Sequence, residues 1–489
     1  MHKHYAGGMN ALDDVRRRLP DGWPLLLLAV WLVALAGWRP VALPDEGRYG
    51  GVAYEMLSDG NWWTPTLFGL PYFHKPPLMY WIDRAAMALL GPTPLALRAA
   101  PLLGAWLLGW ALWIEVRVRH GLRDAQQALA WLAVLPLFYL GAQYANHDML
   151  VAGWMSLAVV SARVALGGDR LRLGWLCAAW AAMALAVLSK GLIGIVLPGL
   201  VVLPWLIMQR RWRALVQALH PAGLAVFALI ALPWMLLMQQ RYPGFFDYFI
   251  IEQHFHRYTE ARFNNAQPVW FFLAVLPLAT LPASLRLIGA LRRGSFELWW
   301  IVVIVGFFSM PRSKLVGYVL PALLPLAVLL WQAWQGRRGA RWAWGMGALL
   351  CVAAVPAIMV WGKPDHADVG AALRSRLAPG DRVVVTGEPF FDLRLQARLS
   401  EPPAVLADWE GLRRQGGDNW QRELSDAARF APALGERVLW TPERLARERC
   451  APGRIWLVAT RADALPDAQL AFEGRRAALF TLPRPATCP

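Results

Sequence analysis

The feature that most constrains this chain is a series of eleven stretches without Asp, Glu, Lys or Arg, spanning 23–38, 99–114, 125–146, 149–162, 173–189, 191–209, 214–240, 263–285, 298–311, 315–336 and 342–362. A helix needs about 20 apolar residues to cross the hydrocarbon core, and the shorter stretches reach that length only when flanking polar side chains snorkel outward. The pattern predicts a polytopic α-helical membrane protein of about 11–13 transmembrane helices. Leu78–Leu90 is also apolar, but it is short and carries Asp83 and Arg84, so it reads as an interfacial helix with a twelfth crossing as the alternative.

The formal charge of +16 would suggest a nucleic-acid partner on a soluble chain. Its location argues otherwise. From Lys363 onward there are 19 basic and 17 acidic side chains, against 30 and 16 in the first 362 residues, so the excess lies among the apolar stretches. Alternate connections hold Arg16–Arg18, then Arg117, Arg119 and Arg123, then Arg170 and Arg172, then Arg210, Arg211 and Arg213, then Arg286, Arg292 and Arg293, then Arg337, Arg338 and Arg341. Lys and Arg accumulate in short cytoplasmic loops, and all six sets fall on one side if Leu78–Leu90 does not cross. The N-terminus is then cytoplasmic, and the segment from Lys363 emerges on the opposite face. The first apolar run reads as a retained span rather than a cleaved signal peptide.

Two units follow. Residues 1–362 form the membrane unit, with far-side loops at 39–94 and 239–267. Residues 363–489 form a small soluble α/β domain, with strands expected at Arg382–Thr386 and Arg454–Ala459 and a helix at Trp420–Phe430. Cys450 and Cys488 both lie in that tail, and whether they pair stays open.

The far-side loops concentrate ionisable groups at membrane depth, where charge is costly unless it is paired or functional. The first holds Asp45, Glu46, Arg48 and Tyr49, then Trp62 and Trp63, then Tyr72, His74 and Lys75; the second holds Asp148; the third is Ser189-Lys190-Gly191. The fourth brings Glu252, His254, His256, Arg257 and Arg262, and the fifth Arg312 and Lys314, with Tyr318 one turn into the next span. Carboxylates beside cations suit group transfer from a lipid phosphate: the acid orients or deprotonates the acceptor, and the cations stabilise charge growing on the leaving phosphate. Pairing among these residues, or with lipid headgroups, is the plainer alternative for any one of them.

In this order and placement, Asp45-Glu46-Gly47-Arg48-Tyr49, His74-Lys75-Pro76-Pro77, Asp148, Ser189-Lys190-Gly191 and Pro311-Arg312-Ser313-Lys314-Leu315 with Tyr318 closely resemble the bacterial 4-amino-4-deoxy-L-arabinose transferases of lipid A. Those are glycosyltransferases of the GT-C fold, related to the protein O-mannosyltransferases. The resemblance extends to the tail, where Asp418-Asn419-Trp420-Gln421-Arg422-Glu423-Leu424 looks like a family segment.

The resemblance implies an enzyme of the bacterial inner membrane that takes a sugar from an undecaprenyl phosphate carrier at the periplasmic face, with inversion, and passes it to lipid A or another glycolipid. It makes Asp45 and Asp148 the catalytic acids. Lys75, Lys190, Lys314 and Arg257 or Arg262 become the carrier-phosphate ligands, while Glu46, Arg48, Tyr49, Tyr72, His74 and Tyr318 become cavity residues. Family members often have Glu where this chain has His74. A phosphate acceptor needs no general base, so Asp45 would orient groups or stabilise positive charge on the sugar; a hydroxyl acceptor would make it a base.

The resemblance fixes no cofactor, and a divalent cation is compatible with the acids. A metal reading of His254 and His256 is weakened by their i, i+2 spacing, which does not put both on one helical face. Two rival functions remain: a GT-C enzyme glycosylating a protein or glycan hydroxyl, and a polyprenyl-lipid flippase. A flippase predicts repeated halves with charges near the midplane, and the charges here cluster at one face.

Overall fold

The computed structural model describes residues 21–256, 265–292, 296–415, 419–486 and 488. Every apolar stretch becomes helical. Among the described residues six helices are long and apolar enough to cross a bilayer: Ala96–His120, His147–Leu166, Leu173–Lys190, Trp212–Arg241, Val316–Trp334 and Ala340–Trp361. Two further stretches are bent pairs, Leu122–Ala133 with Pro136–Ala142 at 73° and Phe271–Leu278 with Ala283–Leu291 at 109°. Proline explains both breaks, because Pro136 and Pro282 sit at the joints and donate no amide hydrogen bond. The rest are the shorter apolar helices Trp23–Val33, Ile193–Met208 and Phe296–Ser309. Large apolar side chains such as Leu229, Ile288, Val360 and Trp361 point outward, as a lipid-facing surface requires.

Small residues bring the central helices together, since lipid gives no hydrophobic drive to associate and close backbone approach must do so instead. Helix Ala99–His120 crosses His147–Leu166 where a Cβ on Gly153 would lie 2.2 Å from the Gly104 carbonyl oxygen. That contact sets the height at which the second helix presents Asp148, near its first turn.

Leu78–Leu90 is a 13-residue helix, about 20 Å long and shorter than a bilayer core. Its two charges turn inward. Asp83 is fully buried and accepts the Ala100 amide at 2.9 Å, while Arg84 donates to the Met56 carbonyl at 3.0 Å and covers the Trp62 ring. Burial holds the Asp83 carboxyl well above the usual carboxylate range.

The tail carries a six-stranded sheet in the spatial order Leu439–Trp440, Ala404–Leu406, Arg382–Thr386, Ile455–Ala459, Ala478–Leu482 and Gln469–Glu473. The first four run parallel and the last two are antiparallel to their neighbours. The strand predicted at 454–459 begins one residue later, and the helix predicted over 420–430 ends at Ala428. Cys450 and Cys488 form a disulfide with Cα atoms 5.6 Å apart.

This sheet unit grips helix Asp45–Ser58. Gly51 allows the approach, because a Cβ there would stand 2.5 Å from the Phe391 carbonyl oxygen. Arg394 bonds Asp59 at 2.6 Å and Glu55 at 3.4 Å, and Asp365 accepts the Val41 amide.

Candidate active site

Helix Asp45–Ser58 begins with two acids after Pro44, where carboxylates meet the positive end of the helix dipole. The two acids have different fates. Asp45 stays about a third exposed and faces a cavity of about 190 Å³. Glu46, the next residue, turns into the protein and is fully buried.

Seven of the residues singled out in the sequence line that cavity: Asp45, Arg48, Tyr49, Lys75, Asp148, Lys190 and Tyr318. Asn146, His147, Gln253, Phe307, Phe308, Pro311, Ser313 and Leu315 are among the other walls. Two carboxylates thus face three cations in one chamber. Arg48 bonds Asp45 at 2.7 Å, i to i+3 along the helix, and Tyr144 donates its hydroxyl to the other Asp45 oxygen at 3.3 Å. The Arg48 guanidinium also lies 5.0 Å from the Tyr49 ring centroid.

Asp148 is placed by a helix cap. Asn146 accepts the Asp148 amide at 2.9 Å and donates its side-chain amide to the Asp148 carboxylate at 3.2 Å. Lys190 ends the helix Leu173–Lys190, where a cation suits the negative end of the dipole, and its ammonium pairs with Asp148 while lying 4.5 Å from the Tyr318 ring centroid. Gly317 leaves the room this requires, since a Cβ there would fall 2.3 Å from an Asp148 oxygen. His147 forms the floor, with its ring edge-on to Tyr49 at 4.7 Å and Nδ1 2.8 Å from the Ser189 carbonyl oxygen.

Other candidates lie elsewhere. Glu46, expected as a cavity residue, is the centre of a buried ionic cluster: Arg39 and Arg98 each clasp both of its oxygens, and the Ala42 and Ala145 amides donate to it. Burial alone would raise its pKa, but the two arginines and their hydrogen bonds hold it at about 2. It therefore ties the first loop to the second, and its neighbour Asp45 is the residue that meets the cavity.

Lys314, expected at the carrier phosphate, points its ammonium at the Gln267 and Pro311 carbonyls at 2.9 and 2.5 Å, and so closes its own loop. Tyr72 and His74 stack at 4.8 Å just outside the chamber, with the Tyr72 hydroxyl 3.4 Å from Glu423. Trp62 and Trp63 do not reach the chamber walls; their carbonyls accept from Trp81 and Trp234. Arg257 and Arg262 lie outside the described residues, as do the side chains of His254 and His256. Among the described residues no group of three or more His, Cys, Asp or Glu side chains is arranged to hold a metal ion.

Three contributors escaped the sequence reading. Glu423, from the sheet unit, bonds Arg48 at 2.8 Å from the side opposite Asp45. Its segment stood out in the sequence, but nothing local in it specifies a reach into the membrane unit. Tyr144 and Gly317 act only through three-dimensional proximity to the two acids, and no spacing announces them.

Residues 74–236 match the family model for dolichyl-phosphate-mannose-protein mannosyltransferases. The chain is 32% identical over 382 residues to the undecaprenyl phosphate-α-4-amino-4-deoxy-L-arabinose arabinosyl transferase of Aeromonas salmonicida, covering 72% of this chain and 69% of that protein. The protein of the same name from Pseudomonas aeruginosa strain UCBPP-PA14 is 35% identical over 338 residues, covering 64% of this chain and 59% of the relative. Among solved structures, ArnT from Cupriavidus metallidurans bound to undecaprenyl phosphate superposes with a TM-score of 0.82 at 24% identity, over 96% of this chain and 99% of that one. The archaeal oligosaccharyltransferase AglB from Archaeoglobus fulgidus shares the fold more distantly, with a TM-score of 0.55 at 14% identity over 90% of this chain and 69% of that one.

Proposed function

Because the chain belongs to the family of undecaprenyl phosphate-α-4-amino-4-deoxy-L-arabinose arabinosyl transferases, we propose that it moves 4-amino-4-deoxy-L-arabinose from undecaprenyl phosphate to lipid A. The observation that carries the reading is the chamber itself, in which Asp45 and Asp148 face Arg48, Lys75 and Lys190. The acceptor oxygen attacks the anomeric carbon from the face opposite the carrier. The bond from that carbon to the carrier-phosphate oxygen breaks, and its electron pair leaves with the phosphate. Lys75, Lys190 and Arg48 stabilise that growing charge. A carboxylate suits both the positive charge that develops on the sugar ring and the ammonium of an amino sugar, and Asp45 is the more accessible of the two acids. Lipid A phosphate is already ionised, so no base is required at this step.

The protein sits in the bacterial inner membrane, with the N-terminus cytoplasmic and both the chamber and the tail periplasmic. The six arginine-bearing connections support that orientation. Undecaprenyl phosphate carries the sugar to a compartment without soluble nucleotide sugars, which accounts for cations on the side where they are otherwise scarce.

The test is Asp45→Asn in membranes. Sugar transfer to lipid A, read by mass spectrometry, is expected to vanish while protein level and undecaprenyl phosphate binding persist. Retained transfer would remove Asp45 from the mechanism.

A further inference from the structure

At the other end of the bundle lies a second built chamber that sugar transfer does not use. Asp148 and Arg163 sit on the same helix, and their separation of 15 residues places them about 22 Å apart along its axis. Around Arg163 opens a cavity of about 590 Å³ whose polar walls include Arg119, His120, Arg211, Gln209 and Glu297. A neighbouring cavity of about 550 Å³ is almost wholly apolar, with Trp180, Met183, Leu200 and Pro204 among its walls. The two share Ala162, Leu166 and Val202, so a polar chamber and an apolar one meet along a common wall.

The polar half carries a surplus of positive charge. Arg163 is held by Glu115 at 2.6 Å and Glu297 at 3.5 Å, with its guanidinium 3.6 Å from the Phe296 ring centroid. Arg119 pairs with the same Glu115 at 2.5 Å. Glu115 and Glu297 therefore serve Arg119 and Arg163, and a third arginine, Arg211, is left over. Among the described residues Arg211 has a carbonyl, that of Gly168, and no carboxylate. It is half-buried among the walls of the chamber, and its bond to Gly168 is open to solvent. An anion there gains charge-assisted hydrogen bonds, and an apolar chain beside it fills a groove that water would leave unsatisfied.

We propose that the paired chambers are a binding site for an anionic glycerophospholipid of the host bilayer, with the headgroup phosphate at Arg211, Arg119 and Arg163 and one acyl chain in the groove lined by Trp180, Met183 and Leu200. Charge complementarity selects an anionic over a zwitterionic lipid. The compact apolar chamber suits an acyl chain better than the much longer polyprenyl chain of the sugar carrier. The site is separate from the sugar chamber and does not rest on the transferase reading.

The experiment uses the delipidated full-length protein in neutral detergent, titrated with phosphatidylglycerol or phosphatidylcholine of matched chains and read by native mass spectrometry. Arg211→Gln removes the cation that has no carboxylate partner, and Ala162→Phe blocks the shared wall. Wild-type protein is expected to retain one phosphatidylglycerol more than either variant and at least fivefold more phosphatidylglycerol than phosphatidylcholine. Arg211→Gln alone decides if Ala162→Phe does not purify, because the Arg211 side chain holds only the Gly168 carbonyl, in a bond open to solvent. Equal retention of phosphatidylglycerol by wild type and Arg211→Gln would overturn the site. Equal retention of the two lipids by wild type would overturn its charge selectivity, and displacement of phosphatidylglycerol by equimolar undecaprenyl phosphate would assign the chambers to the carrier instead.

Discussion

Arg48 and Glu423 are bonded at 2.8 Å although 375 residues separate them, and the same guanidinium holds Asp45 on its other side. One cation thus links a candidate catalytic acid to the C-terminal sheet unit. Burial would lower the Arg48 pKa, but its surrounding tyrosines and the two carboxylates hold it above its usual value, so it stays charged throughout the working range. If Glu423 orients Arg48, Glu423→Gln lowers kcat for sugar transfer roughly tenfold, the equivalent of about 1.4 kcal/mol, with little change in KM. Steady-state kinetics with saturating lipid A checks this; a rise in KM at constant kcat would instead make Glu423 a binding residue.

Asp148 and Lys190 act as a pair, so each should depend on the other. Lys190→Ala and Asp148→Asn are each expected to lower transfer by about 100-fold, the order of magnitude lost when a charge-stabilising contact is removed. The double variant should be no worse than the poorer single one, because residues that act as a unit are not additive. A double-mutant cycle with additive losses would show that the two serve separate steps.

Gly317 supplies a test of geometry without touching a charge. Gly317→Ala places a methyl group where the Asp148 carboxylate lies, and the carboxylate is the group able to move. Transfer should fall as it does for Asp148→Asn while the unfolding temperature stays near the wild-type value. Unchanged activity would mean that the position of Asp148 is uncritical.

Glu46 predicts a pH dependence of stability rather than of activity. Its folded pKa of about 2 lies below the ordinary 4.5, so folding favours the ionised form. The contribution is fully present above the ordinary value and is lost as pH falls toward 2, amounting to about 3 kcal/mol for this fully buried group. Thermal unfolding of the detergent-solubilised protein should therefore weaken from pH 5 to pH 3. Glu46→Gln, which leaves Arg39 and Arg98 without their counter-charge, should cost about 3–5 kcal/mol at neutral pH and flatten that acid limb.

Much of this architecture was legible because lipid imposes simple demands. Uncharged runs marked each helical stretch, and the strand at Arg382–Thr386 showed in its run of β-branched residues. The chamber was legible in part: ionisable groups gathered in short loops between apolar runs attract notice, and Asp45, Lys75, Asp148 and Lys190 stood out that way. Glu46 misled because helix phase, set by where Pro44 starts the helix, decides which of two adjacent acids faces the cavity. Lys314 misled because its partners are backbone carbonyls, which no side-chain pattern reveals. Glu423 and Gly317 depend on contacts between segments distant in sequence, where local pattern carries no information.

The most direct measurement combines the purified full-length protein, undecaprenyl phosphate-linked 4-amino-4-deoxy-L-arabinose and lipid A in one reaction, with mass spectrometry of both lipids. The expected products are lipid A heavier by one 4-amino-4-deoxypentosyl unit and an equimolar amount of undecaprenyl phosphate, with neither formed by the Asp45→Asn protein. Carrier that keeps its sugar in the presence of lipid A and wild-type protein, or wild-type and Asp45→Asn reactions that cannot be told apart, would contradict the proposed transfer.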